Sequence, residues 1–355
     1  PARAWLLEQL ARPEVEAIFA GHVHNFWYDR VGTAEMYLLP STAFLRHDFS
    51  EFYRVAPQVE FARGDLERYG YFLVEVFDDG HVAYSIRTMG AQTADDAAVA
   101  VRSSVTLAHP KSSALRQIGV ELRHPWAETM QITATGGVQE FGRKWARNDY
   151  PLQALWEMGA RLAKVPDVDL AEPYTAQRMQ LLAATGSEFI VTCLGAPNTA
   201  LLELDLDASG VRGFEINATV ETFARKRAQL HSIRASSKSK IYFAKILSAD
   251  HSRYDGGQFT HFVKSGFNLS ELESYRALIE EAVGDGTIDG ITVHLGFDEP
   301  LPQAATIIND FADSVHCEVL VSLKLAGPSV AQARNDDRVL AARTAQAMVF
   351  SQSNP

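Results

Sequence analysis

Gly213-Phe214-Glu215-Ile216-Asn217-Ala218, then a helical pattern over Glu221–Arg234, then Lys240-Ile241-Tyr242-Phe243-Ala244-Lys245-Ile246-Leu247, is the stretch that decides the fold. A short apolar run, an amphipathic helix and a second apolar run form one strand-helix-strand unit, which implies parallel strands joined by a crossover helix. The same rhythm extends in both directions. Strand-like runs at 118–123, 161–166, 188–194, 213–218, 240–247, 289–295 and 317–325 alternate with helical patterns, clearest at Tyr174–Thr185, Glu221–Arg234, Leu269–Val283 and Gln303–Ser314. Seven such units predict a (β/α)8-like barrel lacking its last strand, with a final helix over roughly 336–349. The competing architecture is an open doubly wound sheet, whose Gly-rich nucleotide turn is absent from the sequence.

Upstream the rhythm differs. Pro1-Ala2-Arg3-Ala4-Trp5-Leu6-Leu7-Glu8-Gln9-Leu10 reads as the middle of a helix, so the sequence is expected to be a fragment of a longer chain. A buried strand at Val15–Ala20 runs into Gly21-His22-Val23-His24. A further strand covers Glu35–Pro40, and Tyr71–Phe77 turns at Asp78-Asp79-Gly80 into His81–Arg87, which is a hairpin signal. Residues 91–113 are rich in Ala, Ser, Asp and Thr and read as a linker, giving domains of 1–90 and 114–355.

Composition narrows the function. The chain has 355 residues, 46% of them hydrophobic, and a net charge of −11 at pH 7, which argues against nucleic acid or an anionic membrane surface as main partner. No apolar run approaches the roughly 20 residues needed to span a bilayer. Cys193 and Cys317 are the only cysteines, both in strand-like runs, which excludes a disulfide framework and favours a reducing, cytoplasmic setting. Oligomeric state is not legible.

The stretch 12–26, with Gly21-His22-Val23-His24 after a buried strand, resembles the last metal-binding block of calcineurin-like metallophosphoesterases. Tyr37-Leu38-Leu39-Pro40-Ser41-Thr42-Ala43-Phe44 resembles the family's next strand, and Gly70–Gly80 its closing hairpin. The resemblance implies that the first domain is the C-terminal portion of a β-sandwich α/β fold. It implies a hydrolase of small-molecule phosphoesters. Two divalent ions (Mn, Fe or Zn) would be its cofactors, with His22 and His24 each binding one of them. The ions would activate a water that attacks phosphorus in line, and would neutralise charge on the phosphoryl oxygens. The family's Asp-x-His, Gly-Asp and Asn-His blocks precede this motif and have no counterpart in the sequence, so this chain alone is expected to be inactive. Gly64-Asp65 reads as an ordinary loop.

His47 could face the phosphate or pair with Asp48, and Asn25 could orient a ligating histidine or cap a turn. In the barrel, polar residues recur within the strands: Glu121 and Arg123, Glu215 and Asn217, Lys245, Thr292 and His294, Ser322 and Lys324. A charge inside a strand costs energy unless paired, so Glu215, Lys245, His294 and Lys324 are candidate catalytic groups. The barrel would then select substrate for the hydrolase or carry a second activity. Two other readings stay open, a lyase or aldolase whose Schiff base forms on Lys245 or Lys324, and a ligand- or partner-binding module without chemistry. Internal ion pairs such as Glu215 with Lys245 would produce the same pattern. Asp250–Gly257 is placed to cover such a site, Arg225-Lys226-Arg227 reads as a solvated helix face, and Trp126, Trp145 and Trp156 as packing.

Overall fold

The computed structural model describes residues 2–21, 26–40, 42, 70–87, 115, 117–122, 126–127, 130–132, 144–146, 149, 152, 155, 158–237, 239–247, 265–323 and 337–353. The chain divides into two compact units, 1–116 with 125–161, and 117–124 with 162–355. The predicted linker 91–113 lies outside the described residues.

In the first unit, helix α1 (Ala2–Leu10) precedes strand β1 (Ala17–Ala20), β2 (Trp27–Val31) and β3 (Ala34–Leu38). The sheet order is β1-β3-β2, with β1 parallel and β2 antiparallel to β3. Strand β2 was not predicted. Asp29 and Arg30 interrupt its apolar run, and an edge strand tolerates them because one side meets solvent. Strands β4 (Gly70–Phe77) and β5 (Gly80–Arg87) form the antiparallel hairpin expected from Asp78-Asp79-Gly80. Phe72 of that hairpin stacks on Phe26 at 5.7 Å, and Tyr28 and Tyr37 pack at 5.3 Å, so aromatic rings form this core. Strands β7 (Met130–Ile132) and β8 (Lys144–Ala146) form another hairpin. The fully buried Asp149 follows it, accepting the Tyr28 N–H at 2.9 Å and donating its own N–H to Phe26 at 3.3 Å, which ties the 125–161 segment to β2.

In the second unit, seven strands form one parallel sheet: β6 (Gly119–Glu121), β9 (Leu162–Pro166), β10 (Glu188–Leu194), β11 (Val211–Ala218), β12 (Lys240–Lys245), β13 (Gly290–Leu295) and β14 (Glu318–Leu323). Their spatial order equals their chain order. A doubly wound sheet must reverse direction at a switch point, and this one does not. The unit is a mixed α/β structure whose parallel sheet is built like that of a (β/α)8-like barrel.

The connecting helices follow from the sequence. Helices α2 (Asp167–Ala171) and α3 (Pro173–Ala183) follow β9, and the Glu172 carboxylate caps α3 by accepting N–H bonds from Tyr174 and Thr175. The short α4 (Thr199–Leu202) follows β10, and α5 (Val220–Ser236) follows β11 with Thr219 as its cap. A 3-10 turn (Leu269–Tyr275) leads into α6 (Arg276–Gly284), and α7 (Leu301–Val315) and α8 (Asp337–Ser353) complete the series. Phe223 of α5 stacks on Phe243 of β12 with ring centroids 4.0 Å apart, which defines the helix-covered face of the sheet. Arg234 of α5 makes a two-pronged contact with Asp289, at 2.6 and 3.0 Å, and Asp289 also accepts the Ile241 N–H.

After residues that are not described, the chain returns at Ser265. Phe267 forms a parallel bridge with Val293, so this segment extends β13's pairing beyond the end of β12. Gly266 makes that approach possible. Its φ is +106°, and a Cβ there would lie 3.0 Å from the Thr292 carbonyl oxygen and 3.1 Å from the His294 nitrogen.

Candidate functional site

Alternation along β11 puts Phe214 and Ile216 on one face, and Glu215 and Asn217 on the other. The second face gathers a polar cluster around the Glu215 carboxylate, whose side chain is only 2% exposed. Its Oε1 accepts from Lys164 of β9 at 3.2 Å, Thr192 of β10 at 3.0 Å and Asn217 at 3.3 Å. Oε2 accepts from Thr292 of β13 at 2.9 Å. Asn217 also donates to Thr192 at 2.6 Å, so the amide braces the hydroxyl that braces the carboxylate. Donors from four strands therefore converge on one buried carboxylate and satisfy its acceptor sites.

Lys164 bridges two carboxylates. Its ammonium also lies 3.4 Å from Glu121 at the end of β6. Burial pulls the Lys164 ammonium toward deprotonation, but Glu215 and then Glu121 outweigh it, and the net shift is upward. Lys164 is thus a fixed positive charge at neutral pH rather than a free amine. Sequence reading flagged Glu121, Glu215, Asn217 and Thr292 but missed Lys164 and Thr192. A lone lysine in the five-residue strand 162–166 carries little signal, because it suggests an exposed edge strand, whereas β9 lies between β6 and β10.

Lys245 goes elsewhere. It shares a face with Phe243, two residues before it, and its ammonium pairs with Glu271 of the 3-10 turn at 2.9 Å. The Phe267 and Tyr275 rings lie 6.0 and 5.5 Å from that nitrogen. Glu215 and Lys245 therefore do not pair with each other, and each has its own partner. His294 follows Thr292 by two residues on β13, shares its face by alternation, and is half-buried. Lys324 lies outside the described residues, as do Arg123 and the loop 250–257. Burial and then Asp167 and Glu215 push the Cys193 thiol well up, and burial and then Glu318 push Cys317 up to about 11, so both remain protonated, poorly nucleophilic thiols.

In the first unit, β1 ends at Ala20, immediately before Gly21. His22, His24, Asn25 and His47 lie outside the described residues. Beside β1, Glu35 accepts from the Tyr28 hydroxyl at 2.9 Å and the Tyr37 hydroxyl at 2.5 Å. His81 of β5 reaches the same carboxylate at 3.3 Å through Nε2 and meets Glu16 through Nδ1. Burial, then the bond to Glu35, drives the Tyr37 phenol far above its ordinary value, so it stays protonated and donates to Glu35. This network fastens the β4–β5 hairpin to β1 and β3. Among the described residues, no group of three or more His, Cys, Asp or Glu is arranged to hold a metal ion, and no helix is long and apolar enough to cross a membrane.

No family model and no curated protein matches the chain. Among solved structures, orotidine 5'-phosphate decarboxylase from Thermotoga maritima is similar, at 11% sequence identity and a TM-score of 0.30, over 58% of this chain and 78% of that one. A likeness of that size assigns neither a fold nor a site.

Proposed function

We propose that the first unit belongs to a metal-dependent hydrolase of small-molecule phosphoesters, of the calcineurin-like type, with His22 and His24 as ligands of two divalent ions. The observation that carries this reading is the end of β1 at Ala20, because Gly21-His22-Val23-His24 then leaves the carboxyl end of a parallel strand. Strand β3 and the β4–β5 hairpin follow in the order the resemblance requires. Imidazole nitrogens suit Fe or Zn, and Mn where carboxylate or water ligands complete the set. When bound, such ions supply a deprotonated water and offset charge on the phosphoryl oxygens. The chain's part is to hold the two imidazoles, with His47 facing the phosphate. Glu35, Tyr37 and His81 brace the sheet to which β1 belongs. In the full fold, this unit would close a β-sandwich and the second would be a (β/α)8-like barrel. A sequence with only two cysteines, each in a strand-like run, is in keeping with a cytoplasmic setting.

The test is hydrolysis of bis-p-nitrophenyl phosphate with added manganese, by a chain that also carries the family's upstream ligand blocks. Outer-shell partners of a metal are worth about 10–100-fold, so loss of a ligand in His24→Ala is expected to cost at least about 100-fold. Undiminished hydrolysis in that variant overturns the reading.

A further inference from the structure

We infer that His81 is a proton-operated clip: with both ring nitrogens protonated it fastens the turn end of the β4–β5 hairpin to the sheet of β1 and β3, and with one proton fewer it lets that end go. The ring sits in the first unit between two carboxylates from different segments. Nδ1 meets Glu16 Oε1, just ahead of β1. Nε2 lies 3.3 Å from Glu35 Oε2 and 3.4 Å from the Tyr37 hydroxyl, both on β3. Among the described residues, these three are the titratable groups in contact with the ring. Phe19 of β1 stands edge-on to it at 6.2 Å and adds no charge. Glu16 is itself tied to β3, since its carbonyl accepts the Glu35 N–H at 2.9 Å.

One proton decides the state of the clip. An ionised carboxylate only accepts, and a neutral imidazole has one N–H and one bare nitrogen. The Tyr37 proton is already committed, because that hydroxyl donates to Glu35 Oε2 at 2.5 Å, and Tyr28 donates to the other Glu35 oxygen at 2.9 Å. Toward His81 the Tyr37 oxygen therefore presents a lone pair. Whichever tautomer a neutral ring takes, one nitrogen faces an acceptor with no proton between them, Nδ1 against Glu16 or Nε2 against Glu35 and Tyr37. The imidazolium satisfies both sides with charge-assisted bonds. The mismatch is costly because the His81 side chain is only 7% exposed, which leaves water little room to replace the missing partner. Closing the clip thus takes up a proton, and by linkage the fastening is complete at low pH and fades as pH rises.

The position of the contact lets a single proton matter. Phe72, toward the open end of the hairpin, is held by Phe26 at 5.7 Å and Tyr37 at 5.8 Å. The turn end has less to hold it. Val76 and Phe77 are 76% and 53% exposed, and His81 and Gly80 are their cross-strand partners. A Cβ on Gly80 would lie 3.6 Å from Glu16 Oε1, so the Glu16 carboxylate rests against the turn itself. Glu16 is also the partner that can leave. Its side chain is 51% exposed, so water can solvate it, whereas Glu35 keeps both tyrosine hydroxyls. An end with few buried contacts can open locally while the rest stays folded.

The experiment is hydrogen exchange read by mass spectrometry on the whole chain, at about pH 5.5 and about pH 8.5, either side of the ordinary histidine range, with rates corrected for base catalysis of exchange. Protection of the segment 76–82 is expected to fall about tenfold or more at the higher pH, the size of one lost charge-assisted bond, while that of 70–74 changes less than about twofold. Glu16→Gln should abolish the difference, because an amide offers Nδ1 either a donor or an acceptor and so suits both states of the ring. His81→Phe keeps an aromatic ring beside Phe19 and Tyr37 and should leave 76–82 poorly protected at both pH values. Glu16 is exposed enough for Glu16→Gln to fold, so that variant decides the matter if His81→Phe does not. Protection of 76–82 that is independent of pH in the unmodified chain, that rises with pH, or that keeps its pH dependence in Glu16→Gln overturns the inference.

Discussion

Replacing Glu215 with alanine is expected to destabilise the second unit by about 3–5 kcal/mol, the range for breaking a buried ion pair from one side. The substitution takes away the one acceptor that Lys164, Thr192, Asn217 and Thr292 share. Asn217 and Thr192 can still bond each other, but the Thr292 hydroxyl and the Lys164 ammonium lose a buried partner. Urea unfolding should show a lower midpoint with an unchanged slope, because the surface exposed on unfolding stays the same. Glu215→Gln keeps the shape and one acceptor, and should lose roughly half as much. Combining Glu215→Leu with Lys164→Met should recover most of the loss, since a well-packed apolar pair replaces a buried ionic one at little cost. The sign of the pH dependence follows from Lys164. Its folded-state value is raised, so its contribution is complete below the unfolded value and fades only as pH climbs through the folded one, in the strongly alkaline range. A loss under about 1 kcal/mol in Glu215→Ala would mean the pair behaves as a surface contact.

Lys245→Ala is expected to cost about as much, roughly 3–5 kcal/mol, for a different reason. Lys245 and Glu271 are 5% and 12% exposed, and they join the end of β12 to the turn that brings the chain back after residue 264. Glu271 also accepts the Asn268 N–H at 2.9 Å, completing a capping box, so removing the lysine leaves an anion tied to that turn. Lys245→Met with Glu271→Leu should restore much of the stability, less about 1 kcal/mol for the lost cap. The pairing bears on chemistry as well. A lysine held by a carboxylate on the helix-covered face is poorly placed to attack a carbonyl carbon. Borohydride reduction in the presence of carbonyl compounds should leave Lys245 unlabelled by mass spectrometry, and labelling there would revive the Schiff-base reading.

The parallel sheet was legible because its central strands, β11, β12 and β13, are buried on both faces. In β11 every residue except Arg212 is buried, and such a run stands out against flanking polar turns. Strand-helix alternation alone fits both a singly and a doubly wound sheet, and only the spatial order of the strands separates them. Glu215 was visible as a charge in an apolar strand, whereas its partner was not. Lys164 lies 51 residues away, and pairing between non-adjacent strands leaves no local trace. The expected partner, Lys245, fails on parity. It shares the face of Phe243, while Glu215 lies on the other side of the sheet, and a one-residue difference moves a strand side chain between faces. In the first unit the β4–β5 hairpin was announced by its turn, but β2 was hidden by Asp29 and Arg30.

The role of His22 and His24 is tested most directly by counting metal. A chain that carries the family's upstream blocks, purified with manganese and assayed by elemental mass spectrometry, should hold two ions per polypeptide, and His22→Ala with His24→Ala should bring that number close to zero. Two ions retained in the double variant would contradict the assignment of these histidines as ligands.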